Sequence, residues 1–551
     1  MCSSDLLQRL HKQAGRPHRT YCVRTGRPNS QSKHVKYADR HLLCLLAVFY
    51  PRIVQATTAP ASVFSTTPPP APAALPDGWM YCRIPALPQP CTELPAANDS
   101  VFPLTFLGLF NMSSVRSLLL LLCCGFPQVL FAQTPEPQPP AFADWFEDRA
   151  LRLEFTVSGH ASEHSLALQE IFEEPCWPEH PGLLLPSRQL CSTRARVYDA
   201  ASGTLICQRS FDTLFSEYTT TTPAANKIRR SFEFVVRIPL PKAPVRLVLE
   251  ERNRQYNYEP VFETTIAPDD LHIRRESAGQ DEILEIQVAG APQSSLDITF
   301  LAEGYTAEQS ADFKADLQRM SDFLLTQSPW NEFRDSISIR GIFRPSPEQG
   351  TDEPHRRIYR NTNLGATFNI FDLDRYLLSE QNHDIHRMAS QVPSDTVVLL
   401  ANSKTYGGGA VCLDYCISTT GHNNSPLVFI HELAHSFAGL ADEYTGNVAY
   451  NQMYPDDQEP MEANITRNLN RDTLKWRQFL STDIPLPTPT LPQPEASEKQ
   501  LVGAFEGGGY LKQGMFRSEQ DCWMGSLLRD EGFCVVCREA IRETIKGHLG
   551  K

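Results

Sequence analysis

From residue 151 to residue 266, hydrophobic and polar positions alternate in short runs. Residues 151–157, 194–198, 204–209, 230–238 and 245–249 each read as a strand of period two, with Ala201-Ser202-Gly203 and Pro239-Leu240-Pro241 as turns between them. Short strands punctuated in this way predict a small β-sandwich over residues 141–268. Near Ala267-Pro268-Asp269-Asp270 the pattern changes. Strand runs at 283–288, 297–301, 336–343 and 396–401 now alternate with helical ones, and over 307–326 Phe313, Leu317, Met320 and Leu324 recur on one helical face. This predicts helices packed on a mixed sheet, an α/β domain over residues 269–551, and an α+β multidomain chain as a whole. The Pro-rich stretch 483–495 reads as a surface excursion within that second domain.

Ahead of these elements the hydropathy pattern is of another kind. Met112 opens a segment with one positive charge at Arg116, apolar residues 118–122, and Val129-Leu130-Phe131-Ala132 before Gln133. This is the layout of a secretory signal peptide. Interrupted by Gly125 and Pro127, its apolar core falls short of the roughly 20 residues a spanning helix needs. Export is therefore expected, with cleavage after Ala132 and no transmembrane segment in the mature chain. Lipid attachment at Cys123 is the lesser alternative, because Leu122 before it is bulky. A signal peptide acts at the start of a chain, so Met112 is taken as the natural start. Residues 1–111 are then an upstream extension or a disordered tail, and 133–140 a Pro-rich spacer.

A net charge of -13 argues against a nucleic-acid partner, which would need a basic surface. Seven of the 15 cysteines precede residue 125, and the even number that remains in an exported chain permits disulfides.

The chemistry concentrates at His431-Glu432-Leu433-Ala434-His435, which follows the apolar residues 427–430. Residues four apart share a helix face, so His431 and His435 can both turn their imidazoles to one metal ion. Glu432 lies about 100° around the helix, placed to act on a metal-activated water without being a ligand. Gly439 can end the helix in a left-handed turn. The returning chain offers Asp442 or Glu443 as a third ligand, with Asp442 preferred. These residue types predict a catalytic Zn2+ held by His431, His435 and Asp442, with Glu432 as general base and acid.

The segment from His431 to Tyr444 resembles the signature of the IgA peptidase family of zinc metallopeptidases. Asp297 to Tyr305, Tyr406-Gly407-Gly408-Gly409, Glu462 to Thr466, Phe533 to Cys537 and, in the first domain, Phe211 to Tyr218 are similar to further family segments. The resemblance implies a metzincin-like catalytic domain with a methionine turn under the metal, for which Met524 in Cys522-Trp523-Met524-Gly525 is the match. Gly439 and Asp442 each fall one residue later than in the commoner metzincin spacing, and an Asp stands where that pattern has a third His.

It also implies a secreted endopeptidase with a protein or glycoprotein substrate, immunoglobulin A among the candidates. Rival readings are a surface binding protein with a structural metal, and a zinc amidohydrolase. Tyr406 and Gly408 are candidate substrate contacts on an exposed strand edge. Tyr510 and Arg517 are candidate donors to a tetrahedral oxyanion. Cys534 and Cys537 read as a structural disulfide or buried thiols ahead of a redox motif or second zinc site, since no second cysteine pair of suitable spacing accompanies them.

Overall fold

A computed structural model describes residues 141–186, 188–275, 279–446, 453–491, 500–527 and 529–551. The expected signal peptide, Cys123, the upstream extension and the spacer lie outside the described residues, as do residues 492–495 of the Pro-rich excursion.

The first half of the described chain forms two four-stranded sheets. In one, the long strand Phe146–His160 runs antiparallel to both Arg230–Pro241 and Glu163–Glu174. In the other, Thr193–Asp199 lies between Leu205–Phe211 and Val245–Arg252, with Tyr258–Ile266 beyond. Alternate residues of Thr193–Asp199 are buried, as period-two patterning requires. Phe155 stacks on Phe234 at 5.0 Å within the first sheet and meets Phe262 of the second edge-on at 5.3 Å, so the two sheets touch through aromatic rings.

Three strands of these two sheets were not anticipated from the residues: Glu163–Glu174, Tyr258–Ile266 and the short Ile273–Arg274. The first mixes charged residues with good helix formers. Its strand state is imposed by the ladder it makes with Phe146–His160 rather than by local preference.

The second half is organised by a six-stranded mixed sheet. Its order is Gly408–Ala410, Tyr415–Thr419, Thr396–Ala401, Leu296–Glu303, Ile337–Phe343, Glu282–Gln287. The four inner strands are parallel and both outer ones antiparallel. Inner strands are buried along their whole length because both faces are covered. Val398 and Leu400 join a core with Phe313, Leu317, Met320 and Leu324 of the helix Ser310–Leu324 and with the helix Ser425–Ala438. Val397 and Leu399 point the other way, into a core continuous with Phe155, Phe234 and Leu247 of the first two sheets. One hydrophobic cluster thus draws on residues from both sides of position 268. The architecture is mixed α and β with several sheets, as the alternation of periods suggests. Among the described residues no helix is long and apolar enough to cross a membrane.

Candidate metal centre

The helix Ser425–Ala438 has Pro426 in its first turn, where a missing N–H costs nothing, and stops at Gly439, whose φ of 59° and ψ of 40° are left-handed. The reversal brings Leu440 back over the last turn, so that its carbonyl accepts from His435 Nδ1 at 2.6 Å. His431 Nδ1 donates in the same way to Trp523 O at 2.8 Å. Both rings are thereby fixed with Nε2 facing inward.

The next residues of the return are clamped by the buried Asn464, which accepts from Ala441 N at 2.9 Å and donates to Ala441 O at 2.8 Å. That clamp sets Asp442. Its Oδ1 lies 3.2 Å from His431 Nε2 and 3.3 Å from His435 Nε2, and the two Nε2 atoms are 3.2 Å apart. Asp442 Oδ2 accepts from Tyr510 Oη at 2.5 Å, while the buried Oδ1 faces the two imidazoles. Three acceptor atoms at the corners of a nearly equilateral triangle match one face of a tetrahedron. A zinc ion with bonds of about 2.0–2.1 Å demands ligand separations of about 3.3 Å.

The electrostatics point the same way. Burial alone would lower the pKa of His435, but the charge and hydrogen bond of Asp442 outweigh it and raise the value to about 9. Burial also opposes ionisation of Asp442, yet the two imidazoles hold its carboxyl well below the usual range. Both shifts show that these groups together favour positive charge between them. The carboxyl of Glu432 is pushed up by burial, partly offset by His431 and His435.

Glu432 opens onto a cleft of about 980 Å³. It is lined by Gly408 and Ala410 of the edge strand, by the metal helix and the return through Tyr444, and by Asp212, Arg252 and Tyr256 from the first half of the described chain.

The family model described as IgA Peptidase M64 matches residues 284–500 and 490–545, and that of the Peptidase M64 N-terminus matches residues 141–263. The chain belongs to the IgA peptidase M64 family. It is a peptidase, and its substrate is protein. No curated protein matches the sequence.

In this M64 peptidase Asp442 and Glu443, left open as alternatives by the residues, take separate places. Glu443 is turned away from both imidazoles and buried beside Cys522, Cys534 and Cys537. Met524 is fully buried, and its carbonyl accepts from Glu443 N at 2.7 Å, which docks the Cys522 to Gly525 turn against the metal loop. Tyr406 lines the cleft, edge-on to His422 at 5.1 Å.

Other candidate contacts stand differently from expectation. Gly408 lines the cleft, but the strand edge there is closed, because Gly408 O accepts from Leu377 N at 3.1 Å. Tyr510 supports Asp442 instead of offering its hydroxyl to an oxyanion. Arg517 is not among the cleft residues: its guanidinium donates to the carbonyls of Glu506, Gly507 and Gln520, which consumes its fork. Two residues of the quoted motifs had no role assigned from sequence and gain one here. Tyr444 lines the cleft and hydrogen-bonds Asp442, and the buried Asn464 is the loop clamp.

Proposed function

We propose that the chain is an exported zinc-dependent endopeptidase in which His431, His435 and Asp442 hold the metal and Glu432 is the general base and acid. The observation that carries this is the triangle of Nε2, Nε2 and Oδ1 atoms. With both Nδ1 atoms donating to carbonyls, the two Nε2 atoms and a carboxylate oxygen are left facing one another, an arrangement that a shared cation makes favourable. Three protein ligands would leave a zinc ion free to take up water, as hydrolysis requires. When bound, zinc supplies an electrophile that polarises the scissile carbonyl and acidifies water.

The protein's own groups do the rest. Glu432, with its raised pKa, accepts a proton from the attacking water and returns it to the leaving amine. The phenol of Tyr406 faces the cleft close enough to feel the charge of Glu432, and we assign it as a donor to the developing oxyanion. A protein segment lies along the cleft between the metal helix and the first two sheets. We take those sheets to be a β-sandwich that positions a glycoprotein, immunoglobulin A being the substrate suggested by the family description. Gly439, which turns the chain, and the Met524 turn, which reaches His431 through Trp523 O, support a metzincin-like catalytic half. The pattern from Met112 to Ala132 supports export.

The test compares cleavage products of a serum glycoprotein mixture for wild type, chelated wild type and Glu432→Gln. Wild type should cleave, and chelation should stop it reversibly. Glu432→Gln should keep its zinc and lose at least about 10²-fold in rate. Undiminished cleavage by zinc-loaded Glu432→Gln protein rules out this assignment of the base.

A further inference from the structure

Behind the metal loop, four more ligand-bearing side chains converge. Glu443, Cys522, Cys534 and Cys537 are all buried, and their ligand atoms lie within 4.8 Å of one another. Cys522 Sγ is 3.7 Å from Cys537 Sγ, and Glu443 Oε1 is 3.2 Å from Cys537 Sγ and 3.9 Å from Cys534 Sγ. In a tetrahedral zinc shell with Zn–S bonds of about 2.3 Å and Zn–O of about 2.1 Å, sulfurs sit about 3.8 Å apart and sulfur to oxygen about 3.6 Å. The cluster is already close to those dimensions.

Two of the three sulfurs accept hydrogen bonds from their surroundings, as metal-bound thiolates do. Cys522 Sγ accepts from Cys534 N at 3.1 Å and Met524 N at 3.5 Å. Cys534 Sγ accepts from Cys537 N at 3.4 Å and Ser518 Oγ at 3.3 Å. Cys534 also caps the N-terminus of the fourteen-residue helix Val535–His548, where the helix dipole favours negative charge. A disulfide between any two of the three would leave the third sulfur and a buried carboxylate facing each other with no cation. Glu443 Oε2 is a buried atom with no hydrogen-bond partner among the described residues.

We propose that Glu443, Cys522, Cys534 and Cys537 form a second, structural metal site for a zinc-class divalent ion, separate from the His431, His435 and Asp442 centre. Four protein ligands leave no open position, so the site holds structure and does no chemistry. Binding releases the thiol protons and ties together three segments distant in sequence. These are the loop that carries Asp442, the Cys522 to Met524 turn that supplies Trp523 O to His431, and the start of the last helix. The bound ion acts as a staple that fixes the catalytic ligands from beneath.

The test measures zinc per chain in the purified full-length protein and in the His431→Ala/His435→Ala double variant after incubation with zinc alone and desalting. Wild type should hold two equivalents and the double variant one. Cobalt in place of zinc in that variant should give an intense thiolate-to-metal absorption in the near ultraviolet. In case the variant does not fold, zinc-edge X-ray absorption of wild type supplies an independent answer, with sulfur neighbours expected at about 2.3 Å. The catalytic centre contains no sulfur and cannot mimic that signal.

A double variant without zinc, with wild type showing only nitrogen and oxygen neighbours, overturns the proposal, as does peptide mapping that recovers two of the three cysteines as a disulfide. Failure of the catalytic reading looks different: wild type and double variant would then hold the same single sulfur-bound equivalent.

Discussion

A methyl group at position 408 tests whether the space beside Glu432 is part of the catalytic apparatus. A Cβ built on Gly408 lies 2.6 Å from Val428 Cγ1, 3.0 Å from Glu432 Cγ and 3.0 Å from Ile417 O. Real contacts are wider, so something must yield. Val428 is β-branched within a helix and has little rotameric freedom, and Ile417 O belongs to the neighbouring sheet strand. Outward movement of the strand is opposed by the hydrogen bond from Leu377 N to Gly408 O at 3.1 Å. The side chain of Glu432 is the softest neighbour.

Gly408→Ala should therefore cost about 1–3 kcal/mol of stability, as overpacking does, and displace the base by a fraction of an ångström or more. Since misplacement by about 1 Å can cost about 10²-fold in rate, kcat/KM should fall by about ten- to a hundredfold, or about 1.4–2.7 kcal/mol of barrier. Neither His431 nor His435 is touched, so zinc content should not change. The assay is cleavage of a quenched peptide taken from the product profile, with metal analysis and a denaturation midpoint on the same sample. A kcat/KM within twofold of wild type would refute the argument. Loss of zinc in step with activity would refute it too, because the damage would then lie at the ligands.

Three further outcomes are expected. Tyr510→Phe removes the donor to Asp442 Oδ2 and should weaken zinc affinity by about ten- to a hundredfold in chelator competition, an unchanged affinity counting against the supporting role. His548 is half-buried, with its Nδ1 3.5 Å from Asp395 Oδ1. Burial lowers its pKa, but Asp395 outweighs that and raises it. A raised native pKa means stabilisation that is complete below the unfolded value of about 6.5 and disappears as pH rises through the native one. The stability gap between wild type and His548→Gln should accordingly narrow from mildly acidic to alkaline pH, and a gap constant in denaturant titrations across that range would remove the basis of the argument. Finally, Cys191 and Cys412 bring their sulfurs within 3.1 Å, so mild oxidation of the native protein should link them, and recovery of both as free thiols by non-reducing peptide mapping would contradict this.

What was legible in the residues follows the range of the interactions involved. Two histidines four apart, a carboxylate beside the first and a glycine four residues past the second define a helix face and its exit. All of that is decided within fifteen residues, so the metal helix, the left-handed Gly439 and the preference for Asp442 could be read locally. Arg517 could not be placed, because its partners are carbonyls that only the folded hairpin of Phe505–Gly508 and Leu511–Arg517 presents. Leu377, which covers the edge at Gly408, is thirty-one positions away in sequence.

The three-cysteine cluster shows the limit most sharply. Cys534 and Cys537 look unaccompanied as a pair, and the missing ligands are a lone cysteine twelve residues earlier and a carboxylate ninety-one residues earlier, next to the catalytic aspartate. Sequence spacing ranked Asp442 and Glu443 as rivals for one ion. Folding separates them: Asp442 lies against the two imidazoles and Glu443 against the cysteine sulfurs. An exchange that moved the negative charge by a single residue would therefore damage both sites together, and this explains physically why two adjacent acids stand at this turn.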